Sequence, residues 1–282
     1  MTDPARPIDP DALEALIRLI AEHDTVSPVN DSARMVLAGQ RQGTVLGRHD
    51  GDELAGFLVA DEREHTLMLG VRPELRRRGH GGALLAQGLI RHPDAGVWAF
   101  GSLEPALALA RRAGLRATRE LLQLGRRLTA EPVRVPPGYT ISAFDEEDAA
   151  GVVAVNRAAF AHHPEQGALS LSDFKALQAQ QWFDPAGLLV AHDAAGRVTG
   201  FHWTKRHSAT LGEVYVLAVA PTDGGLGLGK GLLQAGLTHL NDVGCREVML
   251  YVEASEKAVV GLYESANFVR ITTDTMFHQE LP

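Results

Sequence analysis

Two segments of the chain carry one pattern at a fixed offset of 148 residues: Met68–Leu89, MLGVRPELRRRGHGGALLAQGL, and Val216–Leu237, VLAVAPTDGGLGLGKGLLQAGL. Nine of the 22 aligned positions are identical: Leu69/Leu217, Val71/Val219, Pro73/Pro221, Gly79/Gly227, Gly81/Gly229, Leu84/Leu232, Leu85/Leu233, Gly88/Gly236 and Leu89/Leu237. Each copy reads as an apolar strand, a proline turn, a glycine loop and an apolar-periodic helix. The offset is far longer than a solenoid repeat and fits two copies of one domain. Glu131–Gly138, EPVRVPPG, holds three prolines and a glycine, cannot continue a helix, and marks the seam. The expected domains are 1–130 and 138–282, each α/β with a mixed central sheet flanked by helices.

In the second copy, periodicity predicts helices over Asp145–Phe160, Leu228–Val243 and Lys257–Ser265. Strands are expected at Gly187–His192, Val198–Thr204, Glu213–Ala220, Glu247–Val252 and Thr272–Gln279.

Of 282 residues, 45% are hydrophobic and 22% charged, enough for real cores. A net charge of -8 excludes a global cationic field for nucleic acid or anionic lipid. The single cysteine, Cys245, excludes an intrachain disulfide and a cysteine-cluster metal site. Met1–Pro10 lacks the basic and apolar regions of a secretory signal, and no window approaches the ~20 apolar residues of a membrane span. The expectation is a cytoplasmic monomer without nucleic-acid or membrane partners.

Glycines between a buried strand and a helix N-terminus let backbone N–H groups approach an anion, and a pyrophosphate suits that geometry. A P-loop is excluded because Gly224–Gly231 ends in Gly-Lys-Gly, without a hydroxyl for magnesium. A dinucleotide fingerprint fails because Leu232 stands where its third glycine is needed. His162 and His163 with Glu165, or His202 with His207, lack the H-E-x-x-H spacing of a zinc site, so no metal is expected.

Val-x-Pro followed by Arg76-Arg77-Arg78-Gly79-His80-Gly81 and an apolar helix resembles the acetyl-CoA motif of the GCN5-related N-acetyltransferases. The resemblance implies a loop that cradles the CoA pyrophosphate, after a bulged strand whose backbone faces pantetheine and thioester. It assigns cofactor contacts in the second copy to Leu217, Ala218 and Val219 and to the loop Gly224, Gly225, Leu226, Gly227, Leu228, Gly229 and Lys230. A third group is Glu256, Lys257, Ala258, Val259, Val260 and Gly261. In the first copy the matching residues are Leu69, Gly70, Val71, Arg77, Arg78, Gly79, His80, Gly81 and Gly82. Three positions depart from the family pattern: Gly224 replaces Gln or Arg, Glu256 an Asn that contacts pantetheine, and Asn267 a glycine.

The same resemblance makes Glu213 the base for the amine and Tyr263 the acid for the departing thiolate. The first copy has His65 opposite Glu213, Glu64 one residue out of phase, and Ala110 opposite Tyr263. It is therefore read as degenerate, holding a second, non-reacting acetyl-CoA. FAHHPEQG (Phe160–Gly167), WFDPAG, GFHWTK and GEVYV resemble a tandem branch of the family whose substrate is desacetylmycothiol, a cysteinyl-glucosaminyl-inositol. That resemblance places Asp31, Glu165, Lys205, Glu213 and Tyr251 in the substrate pocket. Acetylation of another small amine or a protein N-terminus, and a non-catalytic acyl-CoA sensor, remain the alternatives.

Overall fold

The computed structural model describes residues 7–162, 167 and 169–280. In chain order its elements are α1 (Pro10–Asp24), α2 (Asp31–Leu37), β1 (Gly43–Asp50), β2 (Glu53–Asp61), β3 (Thr66–Val71), α3 (His80–Arg91), β4 (Gly96–Ala99), α4 (Glu104–Arg112) and β5 (Leu115–Arg127). They continue as β6 (Tyr139–Ala143), α5 (Ala149–Ala159), α6 (Leu171–Gln178), β7 (Leu188–Asp193), β8 (Val198–Arg206), β9 (Leu211–Val219), α7 (Leu228–Asp242), β10 (Glu247–Glu253), α8 (Lys257–Ser265) and β11 (Val269–Gln279).

Two compact units result: Met1–Leu122 with Glu253–Ser255 and Thr272–Pro282, and Gln123–Val252 with Glu256–Ile271. A single cut between 130 and 138 would leave β5 wholly in the first unit and β11 wholly in the second. Instead β5 passes into the second unit at Gln123 and β11 into the first at Thr272. Hydrogen bonding is the reason. Within the first unit β11 pairs antiparallel with β4 at Thr275↔Ala99, Met276↔Trp98 and Phe277↔Val97. Within the second, just past β5, the Leu128 N–H donates to the Arg246 carbonyl at 2.8 Å.

In the first unit β1, β2 and β3 run antiparallel, and β4 joins β3 in parallel. Alternation along β2 sorts the core: Leu58 packs with Leu84, Leu85 and Leu89, whereas Phe57 and Val59 meet Leu16, Ile17 and Ile20. In the second unit the strand order is β10-β9-β8-β7-β6. Phe201 and Trp203 of β8 pack with Val152, Val155 and Phe174 of α5 and α6. Between them His202 points to the other face, where its Nδ1 lies 2.9 Å from the Leu232 carbonyl of α7. A carbonyl only accepts, so Nδ1 carries the proton. Burial pushes the His202 pKa down to about 4.

The repeat glycines Gly88 and Gly236 now have a cause. A Cβ on Gly236 would stand 2.1 Å from the His202 ring, and one on Gly88 2.6 Å from Leu58. Each glycine lets its helix lie directly on the sheet. The expected first helix of the second copy is shorter, because Asp145 and Asp148 form a reciprocal capping box around a 3-10 turn at Glu146–Asp148.

Gly236→Ala is expected to destabilise the protein by about 1–3 kcal/mol through overpacking. Gly261→Ala, where an added Cβ meets nothing within 4 Å, should stabilise α8 by roughly 0.5–1 kcal/mol. Urea midpoints with unchanged slope would separate the two. His202 binds its proton less readily folded than unfolded. Its contribution therefore falls as pH drops from about 6.5 towards about 4, by roughly 3 kcal/mol in all. Imidazole NMR should show the His202 ring neutral and Nδ1-protonated at pH 5; a titration midpoint near 6.5 would refute this.

Candidate active site

The site of the second unit is built on a fork. β9 and β10 pair in parallel only at Leu211↔Glu247, Gly212↔Val248 and Glu213↔Met249. β9 then runs on to Val219 without β10, so the backbone groups of its second half on that side are open to a ligand. A bulge accompanies the fork: β8 residues Trp203 and Thr204 face Val216 and Val214, leaving Tyr215 as the extra residue. Leu217, Ala218 and Val219 lie just beyond it.

After β9, Pro221–Asp223 form a 3-10 turn, Gly225 takes φ 76° and Gly227 φ 84°, and α7 starts at Leu228. No side chain caps α7, so its first-turn N–H groups, Gly229 and Lys230 among them, remain available to an anion. Asp223 anchors this loop. Its carboxylate accepts from Thr222 (2.7 Å), Tyr139 (3.0 Å) and Arg197 (3.2 Å), and these partners hold it below the usual carboxylate range. An added Cβ at Gly224 would meet only the Pro221 carbonyl, at 3.4 Å. Gly224, Leu226, Glu256, Lys257, Ala258 and Val259 are exposed, with Val260 and Gly261 on the next turn of α8.

Glu213 sits where the strands part, 8% exposed, its Oε2 2.7 Å from Nε2 of His207. Lys205 stands opposite Glu213 in the β8–β9 register, its Nζ 5.0 Å from the Trp182 ring centre and 5.4 Å from that of Tyr215. Tyr263, on α8, is 6% exposed and meets Phe268 edge-on at 5.6 Å. Burial pushes its phenol pKa up, so the hydroxyl keeps its proton at neutral pH. Tyr251 of β10 is exposed, its phenol oxygen 3.4 Å from Gln123 Nε2. Asp31 belongs to the first unit, as the first residue of α2 after the Asn30 cap. Glu165 and His163 lie outside the described residues.

The first unit repeats the backbone with different side chains. β3 and β4 pair only at Thr66↔Gly96 and Leu67↔Val97, leaving Leu69, Gly70 and Val71 beyond the fork. Arg77 takes φ 66° and Gly79 φ 88°, matching Gly225 and Gly227. Gly114, φ 68°, matches Asn267, φ 63°, which supports the pairing of Ala110 with Tyr263. Arg76, however, donates Nε to the Val71 carbonyl (3.1 Å) and both terminal nitrogens to Asp24 (2.9 and 2.7 Å). Arg78 pairs with Asp50. The His80 side chain is buried and takes a hydrogen bond from Arg48, leaving its backbone N–H at the head of α3 beside Gly81 and Gly82. His65 lies in the turn before β3 at φ 51°, and Glu64 pairs with Arg41.

In the sequence His207 stands out only through its pairing with His202 as a possible metal ligand. Its tie to Glu213 spans the β8–β9 hairpin, a six-residue separation no motif marks. Among the described residues no group of His, Cys, Asp and Glu is arranged to hold a metal, and no helix is long and apolar enough to cross a membrane.

Residues 156–268 match the Acetyltransferase (GNAT) family. The chain is similar in structure to a GCN5-related N-acetyltransferase from Sphaerobacter thermophilus, with TM-score 0.76, 21% identity and coverage of 98% of this chain and 94% of that one. It is also similar to a tandem GNAT protein from the clavulanic acid biosynthesis pathway, with TM-score 0.69, 18% identity and coverage of 98% and 97%. In sequence it is 42% identical to the mycothiol acetyltransferase of Propionibacterium freudenreichii over 97% of this chain and 90% of that protein. It is 43% identical to that of Thermomonospora curvata over 95% and 93%. With such identity along nearly the whole of both chains, on a fork-and-loop fold that occurs twice, this chain belongs to the mycothiol acetyltransferases of the GNAT family.

Proposed function

We propose that the second unit transfers the acetyl group of acetyl-CoA to the cysteinyl amine of desacetylmycothiol. The observation that carries the reading is Glu213, a buried carboxylate at the fork beside an open strand edge, in a chain whose relatives are mycothiol acetyltransferases. Acetyl-CoA supplies an activated thioester. The uncapped start of α7 and the Gly224–Lys230 loop suit its pyrophosphate, and the open β9 edge suits its pantetheine. Glu213 takes a proton from the substrate ammonium, so that the amine nitrogen has a lone pair for the thioester carbon. The Leu217 N–H polarises the carbonyl. When the C–S bond breaks, the Tyr263 phenol gives its proton to the sulfur. The nitrogen of the tetrahedral adduct still carries the second proton that the amide must shed, and that proton restores the phenol, whose burial favours the protonated form. Lys205 and Tyr251 supply polar contacts of the kind that a hydroxyl-rich cysteinyl glycoside needs.

The first unit, in this reading, binds a second acetyl-CoA without turning it over. Its loop has the same backbone, and a groove of about 840 Å³ is lined by Arg77, Gly79, Gly82, Leu109 and Arg112. His65 and Ala110 offer neither base nor acid at the matching positions.

Mass spectrometry of desacetylmycothiol incubated with acetyl-CoA and the protein should show an N-acetylated cysteinyl product. Bound acetyl-CoA without product would move the reading to another amine. Glu213→Gln and Tyr263→Phe should each lower kcat by about 10²–10⁴ while acetyl-CoA affinity stays put; loss of affinity instead would remove these roles. For the first unit, native mass spectrometry should count two acetyl-CoA per chain, and one in the Arg77→Gly/Arg112→Ala variant with kcat unchanged. An unaltered count would refute the second site.

A further inference from the structure

We infer that His207 is a positioning residue for Glu213, holding Oε2 of the carboxylate so that Oε1 alone is left to take the amine proton. The inference rests on the reading of Glu213 as the base.

Geometry and local structure point to it together. The Glu213 side chain is 10% exposed, so few waters compete for its oxygens, while His207 at 32% reaches in from the hairpin. The contact is 2.7 Å, the length of a charge-assisted hydrogen bond. An ionised carboxylate only accepts, so Nε2 is the donor. The ring has a fixed origin. Beyond the end of β8 the His207 N–H donates to the Leu211 carbonyl at 3.0 Å, and Ser208 Oγ accepts from the N–H groups of Thr210 (3.2 Å) and Leu211 (3.1 Å). The turn that joins β8 to β9 therefore ties the His207 backbone to Leu211, two residues before Glu213 on β9, and so sets where Nε2 stands.

A carboxylate on a strand rotates about three side-chain bonds, and a base gains rate only if its free lone pair faces the proton it removes. Occupying Oε2 removes the rotamers in which neither oxygen faces the substrate. In the step itself one N–H bond of the ammonium breaks and an Oε1–H bond forms, while Nε2–H stays on the histidine. His207 thus acts through Glu213 and does not touch the reacting atoms.

Four variants test this: His207→Phe, His207→Gln, Glu213→Gln and the double variant His207→Phe/Glu213→Gln, each assayed for kcat, acetyl-CoA affinity and thermal midpoint. His207→Phe keeps ring bulk without the donor and should lower kcat roughly ten- to hundredfold with acetyl-CoA affinity unchanged, the scale of one hydrogen bond to a charged group. His207→Gln places an amide N–H where Nε2 stood and should recover most of that loss. The double variant should be no slower than Glu213→Gln alone, since both residues act on one proton. If the phenylalanine variant does not fold, His207→Ala removes the donor at a partly exposed position and gives the same comparison. Wild-type kcat in the donor-free variant beside an impaired Glu213→Gln overturns the inference and leaves the base in place. An equally slow His207→Gln overturns the hydrogen-bond role. Full activity in Glu213→Gln overturns both readings.

Discussion

A parallel ladder that stops early is the constraint on which the rest of this structure depends. β9 and β10 share three residue pairs and then part, as do β3 and β4 after two. Strands lie about 4.8 Å apart only while hydrogen bonds hold them, so the end of pairing opens a wedge lined by unpaired backbone N–H and C=O groups. A ligand with its own amides can enter that wedge as a partial strand. The bulge at Tyr215 belongs to the same event: one extra residue bends β9 away from its neighbour and changes which side chains face the cleft. Glu213 is the last paired residue before the fork. It has the burial of a strand interior and yet borders the opening.

The loop that follows places charge and backbone separately. Positive φ at Gly225 and Gly227 turns the chain so that α7 begins with its N–H groups directed outward. Those glycines carry no side chain to hold the turn, and Asp223 supplies the hold through Thr222, Tyr139 and Arg197. At the position that matches Asp223 the first unit has Leu75, a buried apolar residue at the end of the same 3-10 turn. One backbone shape is thus fastened by an ion-pair network in one copy and by packing in the other.

Much of this was legible in the residues. The repeat, the proline turns, both glycine loops and the helix Lys257–Ser265 follow from patterns of apolar spacing and turn chemistry, which act over a few residues. Asn267 stands at φ 63°, as an asparagine replacing a turn glycine implies. The course of β5 and β11 was not legible, because a strand's own sequence says that it is half-buried and not which strand lies beside it. The roles of Arg76 and His207 were hidden for a related reason. Their partners, Asp24 and Glu213, are met only when separate elements are brought together, and spacing along the chain does not encode that meeting.

The two copies share a backbone and differ in the side chains around it. The φ angles at the loop and at the turn after the last helix agree within 10° between the units (Arg77 66° against Gly225 76°, Gly79 88° against Gly227 84°, Gly114 68° against Asn267 63°). These angles are maintained by sterics and by the helix-to-sheet closeness at Gly88 and Gly236, which every folded chain must satisfy. Side chains aimed at a ligand have no such constraint. In the first unit Arg76 turns back to brace the Val71 carbonyl and Asp24, and His80 turns inward to Arg48. His65, in a turn, stands opposite Glu213, and Ala110 opposite Tyr263. Arg76 now caps a carbonyl on the strand edge that in the second unit stays open. That arginine takes up part of the strand edge in the first unit, and Gly224, at the matching position of the second, has no side chain to do so.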